Sequence, residues 1–117
     1  MNYRWMIAWF WFDPAIGSEQ AGNRPALVVS GEVFNQSMSV LTVLPITTRR
    51  EGRRVYPNEV LLAAGTGGLP DDSIILAHQI RTVSRGRLKR TVGYISDRET
   101  QRAVHDAISH HLELYWD

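Results

Sequence analysis

The sequence predicts a mainly β domain, a small and mostly antiparallel β-barrel or curled sheet, closed by one C-terminal α-helix. Three observations carry that expectation. Short apolar or β-branched runs, separated by Gly, Pro and Asp turn signals, fill the chain as far as Ile95, the pattern of strands joined by tight connections. Only one stretch, after Ser96, repeats its apolar residues at three- and four-residue steps. No composition shift, linker or repeat divides the 117 residues, so 1–117 reads as one domain, long enough to bury its own core.

The elements follow in order. From Tyr3 to Phe12, Trp5, Ile7, Trp9 and Trp11 alternate with Met6, Ala8, Phe10 and Phe12. Aromatics favour strands, and apolar residues on both faces imply that both are covered, by the core and by a self-association surface. Asp13-Pro14 ends this strand and opens the loop Gly17-Ser18-Glu19-Gln20-Ala21-Gly22-Asn23-Arg24-Pro25. Gly17 and Gly22 read as turn points, and Pro25 biases Arg24 toward extended backbone. A carboxylate (Glu19), two amides (Gln20, Asn23) and a guanidinium (Arg24) thus stand at the mouth of the buried strand Ala26–Ser30.

Ser39–Thr47 is the third strand. Pro45 cannot donate to a ladder, so it marks an edge or bulge that aims the Thr47 and Thr48 hydroxyls. Arg49, Arg50, Arg53 and Arg54 surround Gly52 and read either as a solvated hairpin tip or as a flexible basic lip beside the threonines. Val55–Leu62 is the fourth strand, with Pro57 at an edge. Gly65-Thr66-Gly67-Gly68 has neither the lysine of a phosphate-binding loop nor the dinucleotide fingerprint, so it is a turn. Ile74–Ser84 reads as one long strand, with Leu76, His78, Ile80 and Thr82 on one face and Ala77, Gln79, Arg81 and Val83 on the other. Arg85-Gly86-Arg87 turns the chain into the short strand Thr91–Ile95. Ser96-Asp97-Arg98-Glu99 has the form of a capping box. The helix it opens carries Ala103, Val104, Ala107, Ile108, His111 and Tyr115 as its apolar stripe.

Composition narrows the chemistry. A hydrophobic fraction of 44% with 21% charged residues is that of a soluble globular protein. Without cysteine there is no disulfide framework and no thiolate metal site. Met1–Phe12 is neither a signal peptide nor a membrane span, which needs about 20 apolar residues, so the expected location is cytoplasmic. A net charge of +1 excludes nucleic-acid binding by bulk charge. Lys89 is nevertheless the only lysine beside twelve arginines, and arginine's planar fork suits phosphate. A GC-rich genome gives the same bias, so nucleic acid is allowed, not indicated.

His105, His110 and His111 do not fall at the i, i+4 step that places two ligands on one helix face, so neither a metal nor a cofactor is expected. No serine stands in a nucleophile elbow. What remains is Glu19, Gln20, Asn23 and Arg24, then Thr47 and Thr48, then His78 and Gln79, from three separate segments. Arginine, hydroxyl and amide donors suit a phosphate, and Glu19 or His78 can accept a proton. That set fits RNA cleavage by the ribose 2′-hydroxyl: a base takes its proton, a cation steadies the phosphate, and an acid protonates the departing 5′ oxygen.

At this point the residues resemble a family. Gly17 through Ser30 is similar to the signature of MazF/PemK toxins, the ribonuclease halves of toxin–antitoxin modules. Pro45-Ile46-Thr47-Thr48 resembles that family's second motif, and His78-Gln79-Ile80-Arg81-Thr82-Val83 with Arg87-Leu88 its third. Phe12-Asp13-Pro14 and Gly67-Gly68-Leu69 also fit. The resemblance implies an SH3-like antiparallel β-barrel with a C-terminal helix, acting as a homodimer. It implies metal-independent, sequence-specific cleavage of single-stranded RNA to a 2′,3′-cyclic phosphate and a 5′-hydroxyl, and an acidic antitoxin whose disordered tail occupies the RNA groove.

By the same resemblance, Arg24 is the catalytic arginine, phosphate stabiliser and proton donor, and Thr47 is the catalytic threonine. Glu19 matches a glutamate linked to activity in some members. His78 stands where some relatives carry a carboxylate proposed as base, and imidazole is the side chain that ordinarily titrates nearest neutrality. Asn23 replaces a histidine of some relatives. Gln20, Asn23, Thr48, Gln79 and the lip of Arg49, Arg50, Arg53 and Arg54 are the expected RNA contacts. The N-terminal strand, with Trp9 and Trp11 and no Gly-Asp lead-in, departs from the family pattern. A gyrase-binding toxin of CcdB type is the competing expectation. Its C-terminal Trp-Gly-Ile is absent from Leu114-Tyr115-Trp116-Asp117. A non-catalytic SH3-like binding module is the third.

Overall fold

The computed structural model describes residues 1–115; the Trp116-Asp117 end of the tail compared above lies outside them. The elements are β1 (Met6–Trp11), β2 (Asn23–Val28), α1 (Glu32–Ser37), β3 (Val40–Thr48), β4 (Glu59–Leu62), β5 (Ser73–Leu76), β6 (Arg81–Ser84), β7 (Leu88–Tyr94) and α2 (Arg98–Leu112). The strands lie in the order β4-β5-β3-β2-β1-β7, with β6 also on β3, and every pairing is antiparallel. The fold is therefore mainly β with a C-terminal helix, as the sequence predicts. Closure is the point of difference. The path ends at β4 and β7, which do not pair, so the sheet is coiled and barrel-like without being sealed.

Both faces of the central strands are buried, and the alternation in sequence is the reason. Ile7, Leu27, Leu44 and Ile46 join Val60, Leu62, Ile75 and Ile95 in one core, covered by Val104 and Ala107 of α2. The intervening Met6, Ala8, Phe10, Ala26, Val28, Leu41 and Val43 form a second core with Phe12 and Val83. Trp9 and Trp11 do not share this burial: Trp11 is 43% exposed and Trp9 is half-buried.

The coiling comes from β3, which changes partners along its length. Its first part pairs with β6 and β2, through Val43↔Val28 to Pro45↔Ala26; from Ile46 to Thr48 it pairs with β5 instead. Pro45 has no N–H to continue a ladder. The expected long strand Ile74–Ser84 is interrupted by a 3₁₀ turn at Ala77–Gln79. Between Ile46↔Ile75 and Val43↔Arg81, β3 advances three residues and its partner six. The register on β3 resumes, and His78 and Gln79 belong to the excess that bulges out.

Several elements differ from the sequence reading: β2 runs Asn23–Val28 where Ala26–Ser30 was expected, so Asn23 and Arg24 are strand residues, and β7 runs Leu88–Tyr94 where Thr91–Ile95 was expected. The short helix α1 was not legible, because Gly31 provides no side-chain cap and Phe34 on it is 63% exposed. Glu32 holds it in place by accepting hydrogen bonds from the Tyr3 and Arg4 backbone N–H groups. The strand expected over Val55–Leu62 begins at Glu59, after a turn in which Glu59 N–H donates to Tyr56 O. Helix α2 is capped by Asp97 rather than Ser96: its carboxylate accepts from Thr100 N–H at 2.9 Å. That helix ends at Leu112, so Tyr115 lies beyond it, and both His111 and Tyr115 are exposed. Gly65–Gly68 is a turn, as expected. A Cβ on Gly68, at φ +86, would stand 2.7 Å from the Val92 carbonyl oxygen, so the turn packs directly on β7. Among the described residues no helix is long and apolar enough to cross a membrane.

Candidate active site

The parting of β2 from β3 makes the site. Their last pair is Ala26↔Pro45. Beyond it β2 continues on β1, with Arg24 opposite Phe10, while β3 continues on β5, with Thr47 opposite Ile74. The two strands splay at a proline on each, Pro25 and Pro45, neither of which can donate across the gap. Arg24 and Thr47 stand on the two banks. Between them lies a slot of about 230 Å³ that also takes in Trp9, Asn23, Thr48, Asp71 and Ser73. The Arg90 guanidinium lies 5.8 Å from the Trp9 ring centroid.

The loop before β2 is closed at its base. Gly22, at φ +72, donates its N–H to Asp13 Oδ1 at 2.9 Å and accepts from Phe12 N–H at 2.9 Å. Arg87 Nη1 braces the same corner through the Trp11 and Asp13 carbonyls. At the start of β2, Arg24 Nε donates back to Ala21 O at 3.0 Å, which orients the guanidinium and leaves both Nη groups without a partner among the described residues. Gln20 Oε1 is buried with no hydrogen-bond partner.

On the opposite wall stands the bulge with His78. Its Nε2 is 3.0 Å from Oε2 of Glu59, whose side chain is 2% exposed. Glu59 also takes a two-pronged pair from Arg53, Nη1 to Oε1 at 2.8 Å and Nη2 to Oε2 at 2.7 Å, and the Tyr56 N–H at 3.0 Å. These hydrogen bonds, Arg53's foremost, hold the Glu59 carboxyl down at about 2 against the opposing effect of burial. The Arg53 guanidinium is pushed up in return by its hydrogen bonds to Glu59.

Together these elements enclose a groove of about 680 Å³. Arg24, Thr47 and Thr48 border it from one side, Gln20 and Ser18 from the loop, and Arg50, Arg53, His78 and Gln79 from the other. Three guanidiniums and an imidazole line it, and among the described residues no carboxylate does. Of the residues singled out from the sequence, Gln20, Arg24, Thr47, Thr48, Arg50, Arg53, His78 and Gln79 are brought together. Asn23 lines the adjoining slot. Glu19, Arg49 and Arg54 do not line the groove. Glu19 is exposed on the loop, Arg49 Nε is hydrogen-bonded to Arg53 O, and Arg54 lies over the Tyr56 ring. Arg53 borders the groove with its charge already matched by Glu59, whereas the sequence offered a solvated hairpin tip or a flexible basic lip. Glu59 itself escaped that reading. At the head of the run Glu59-Val60-Leu61-Leu62 a carboxylate is expected in solvent, and only the tertiary fold buries it. Among the described residues no three His, Cys, Asp or Glu side chains gather closely enough to hold a metal ion.

Comparison with known proteins adds independent ground. The model of the family described as PemK-like, MazF-like toxins of type II toxin–antitoxin systems matches residues 3–112. The chain is 40% identical over 108 residues to endoribonuclease MazF9 of Mycobacterium tuberculosis, covering 88% of this chain and 89% of that protein. It is 37% identical over 98 residues to endoribonuclease toxin MazF of Escherichia coli K12, covering 81% and 80%. Among solved structures, MazF from Deinococcus radiodurans superposes with a TM-score of 0.78 at 28% identity, covering 95% and 96%. A MazE–MazF structure from the same organism gives 0.71 at 26% identity, covering 96% of each chain.

Proposed function

The chain belongs to the PemK-like, MazF-like toxin family and is an endoribonuclease toxin, and from that premise we propose that the groove between Arg24, Thr47 and His78 is where it cleaves single-stranded RNA. The observation that carries this reading is the convergence of Arg24 and Thr47, from two separated strands, on one groove lined by cations and, among the described residues, by no carboxylate. A phosphodiester placed there meets the two free Nη groups of Arg24 and the Thr47 hydroxyl. Charge that builds on the phosphate as the 2′ oxygen attacks is met by donors already in place. His78 is the base in this reading, supported by its position on the groove wall; Glu19, exposed outside the groove, is left to the loop. Gln20, Thr48, Arg50 and Gln79 border the remaining length and grip the strand on either side.

The products are then a 2′,3′-cyclic phosphate and a 5′-hydroxyl, formed at a short preferred sequence and without a metal. An acidic antitoxin segment suits the same cationic groove. We further read the protein as a cytoplasmic homodimer, with the exposed Phe34 and Met38 as apolar surface available to a second copy. The test is a long RNA incubated with the protein in EDTA, followed by sequencing and end-group analysis. Recurrent cuts with 5′-hydroxyl and cyclic-phosphate ends are expected. Intact RNA, or cuts that appear only once magnesium is restored, would overturn the reading.

A further inference from the structure

We propose that Glu59 is the positioning residue of this site: it holds the His78 ring with Nε2 protonated, so that Nδ1 is the nitrogen that takes the 2′-hydroxyl proton. The proposal rests on the reading of the groove as an RNA-cleaving site with His78 as base. His78 belongs to the 3₁₀ bulge Ala77–Gln79 and is half-buried. The one hydrogen bond of that ring among the described residues runs from Nε2 to Glu59 Oε2, at 3.0 Å. An ionised carboxylate only accepts, so Nε2 must bear the hydrogen, and in the neutral ring Nδ1 is then the free lone pair.

Glu59 is built to stay ionised. Arg53 pairs both of its oxygens and the Tyr56 N–H adds a third donor, in a site where the side chain is almost wholly buried. Arg53 thus acts on the carboxylate, not on the phosphate. The other groups near the His78 ring are His111, whose ring centroid is 6.3 Å away at an interplanar angle of 62°, and His110 across the neighbouring cavity. Neither supplies a carboxylate that could replace Glu59. In the step itself the 2′-hydroxyl proton passes to His78 Nδ1, the 2′ oxygen–phosphorus bond forms and the phosphorus–5′ oxygen bond breaks. The 5′ oxygen leaves with its developing charge met by the Arg24 guanidinium, which keeps its proton, and takes a proton from water; the hydroxide left behind removes the proton from His78.

Two-bond ¹H–¹⁵N correlation spectra of the histidine-labelled protein read the tautomer directly. Neutral His78 is expected with hydrogen on Nε2, and the Glu59→Gln protein with a mixture of both tautomers, since an amide donates as well as accepts. Glu59→Gln should lower kcat about tenfold or more, the scale of a lost outer partner, with KM little changed. In a His78→Ala background the same change should cost nothing further. Hydrogen on Nδ1 in the wild-type protein sinks the proposal, whether or not the Glu59→Gln protein folds. So does an equal loss from Glu59→Gln in both backgrounds, or a His78→Ala protein that cleaves like wild type. A wild-type protein that cuts no RNA at all instead removes the reading beneath it.

Discussion

Replacing Arg24 by alanine is expected to leave the protein folded and to lower its cleavage of RNA by about two to three powers of ten. The size is that of losing one preorganised donor to a charge that develops in the transition state. The fold should tolerate the change because the guanidinium makes a single hydrogen bond among the described residues, Nε to Ala21 O, and Arg24 is only half-buried. Single-turnover cleavage of a short RNA, with the thermal midpoint measured alongside, separates the two quantities. Arg24→Lys should recover only part of the activity, since an ammonium keeps the charge but loses the fork that engages two oxygens at once. An alanine variant as active as wild type would remove Arg24 from the reaction, and with it the purpose of the gap between β2 and β3.

Arg53→Met should destabilise the protein by about 3 kcal/mol at neutral pH, the scale of leaving a buried carboxylate without its partner. For a chain of this size that is a thermal midpoint lower by roughly 10 °C. The loss should depend on pH in one direction. Glu59 is held at about 2 against an ordinary 4.5, so its pairing stabilises the wild-type fold fully above pH 4.5. That contribution fades as pH falls toward 2. The gap between wild type and Arg53→Met is therefore widest above pH 5 and closes in acid. Glu32 behaves likewise in both proteins. Burial works to raise its carboxyl, but hydrogen bonds from Gln36, Asn35 and the Arg4 and Tyr3 backbone hold it at about 2, so acid weakens the α1 anchor too. Urea titrations at pH 7 and pH 3 check this. A difference that is constant with pH would mean that Arg53 supports the fold through packing, not through Glu59.

How much was legible in the sequence depends on what each residue needed to be read. Arg24 and Thr47 stood out because Pro25 biases Arg24 toward extended backbone and Pro45, two residues before Thr47, cannot donate to a ladder, and both are local effects written in one residue. His78 was singled out but misplaced, as one position in an alternating strand. The three-residue excess that throws it out of register is visible only against β3. The barrel expected from the strand pattern proved to be an open, coiled sheet, because closure depends on whether β4 meets β7, two segments whose own residues do not record it. The N-terminal aromatics were read as buried on both faces. The fold buries Ile7 and Phe10 and leaves Trp11 at the surface, on the Ile7 face where β1 runs out past the first core, while Phe12 beside it stays in the second.

By itself the sequence determined the chemistry available: most of the strand segments, the C-terminal helix though not α1, and that guanidinium, hydroxyl, amide and imidazole groups stand next to turns. Those follow from local preferences and periodicity, which act over a few residues. Only the tertiary structure decided that Glu59 is buried between Arg53 and His78, that Arg53 has a carboxylate partner while Arg24 has none among the described residues, and that Glu19 stands outside the groove. Burial and pairing are set by what other strands bring to the same place, and a carboxylate's neighbours across the fold leave no mark on the residues beside it in the chain.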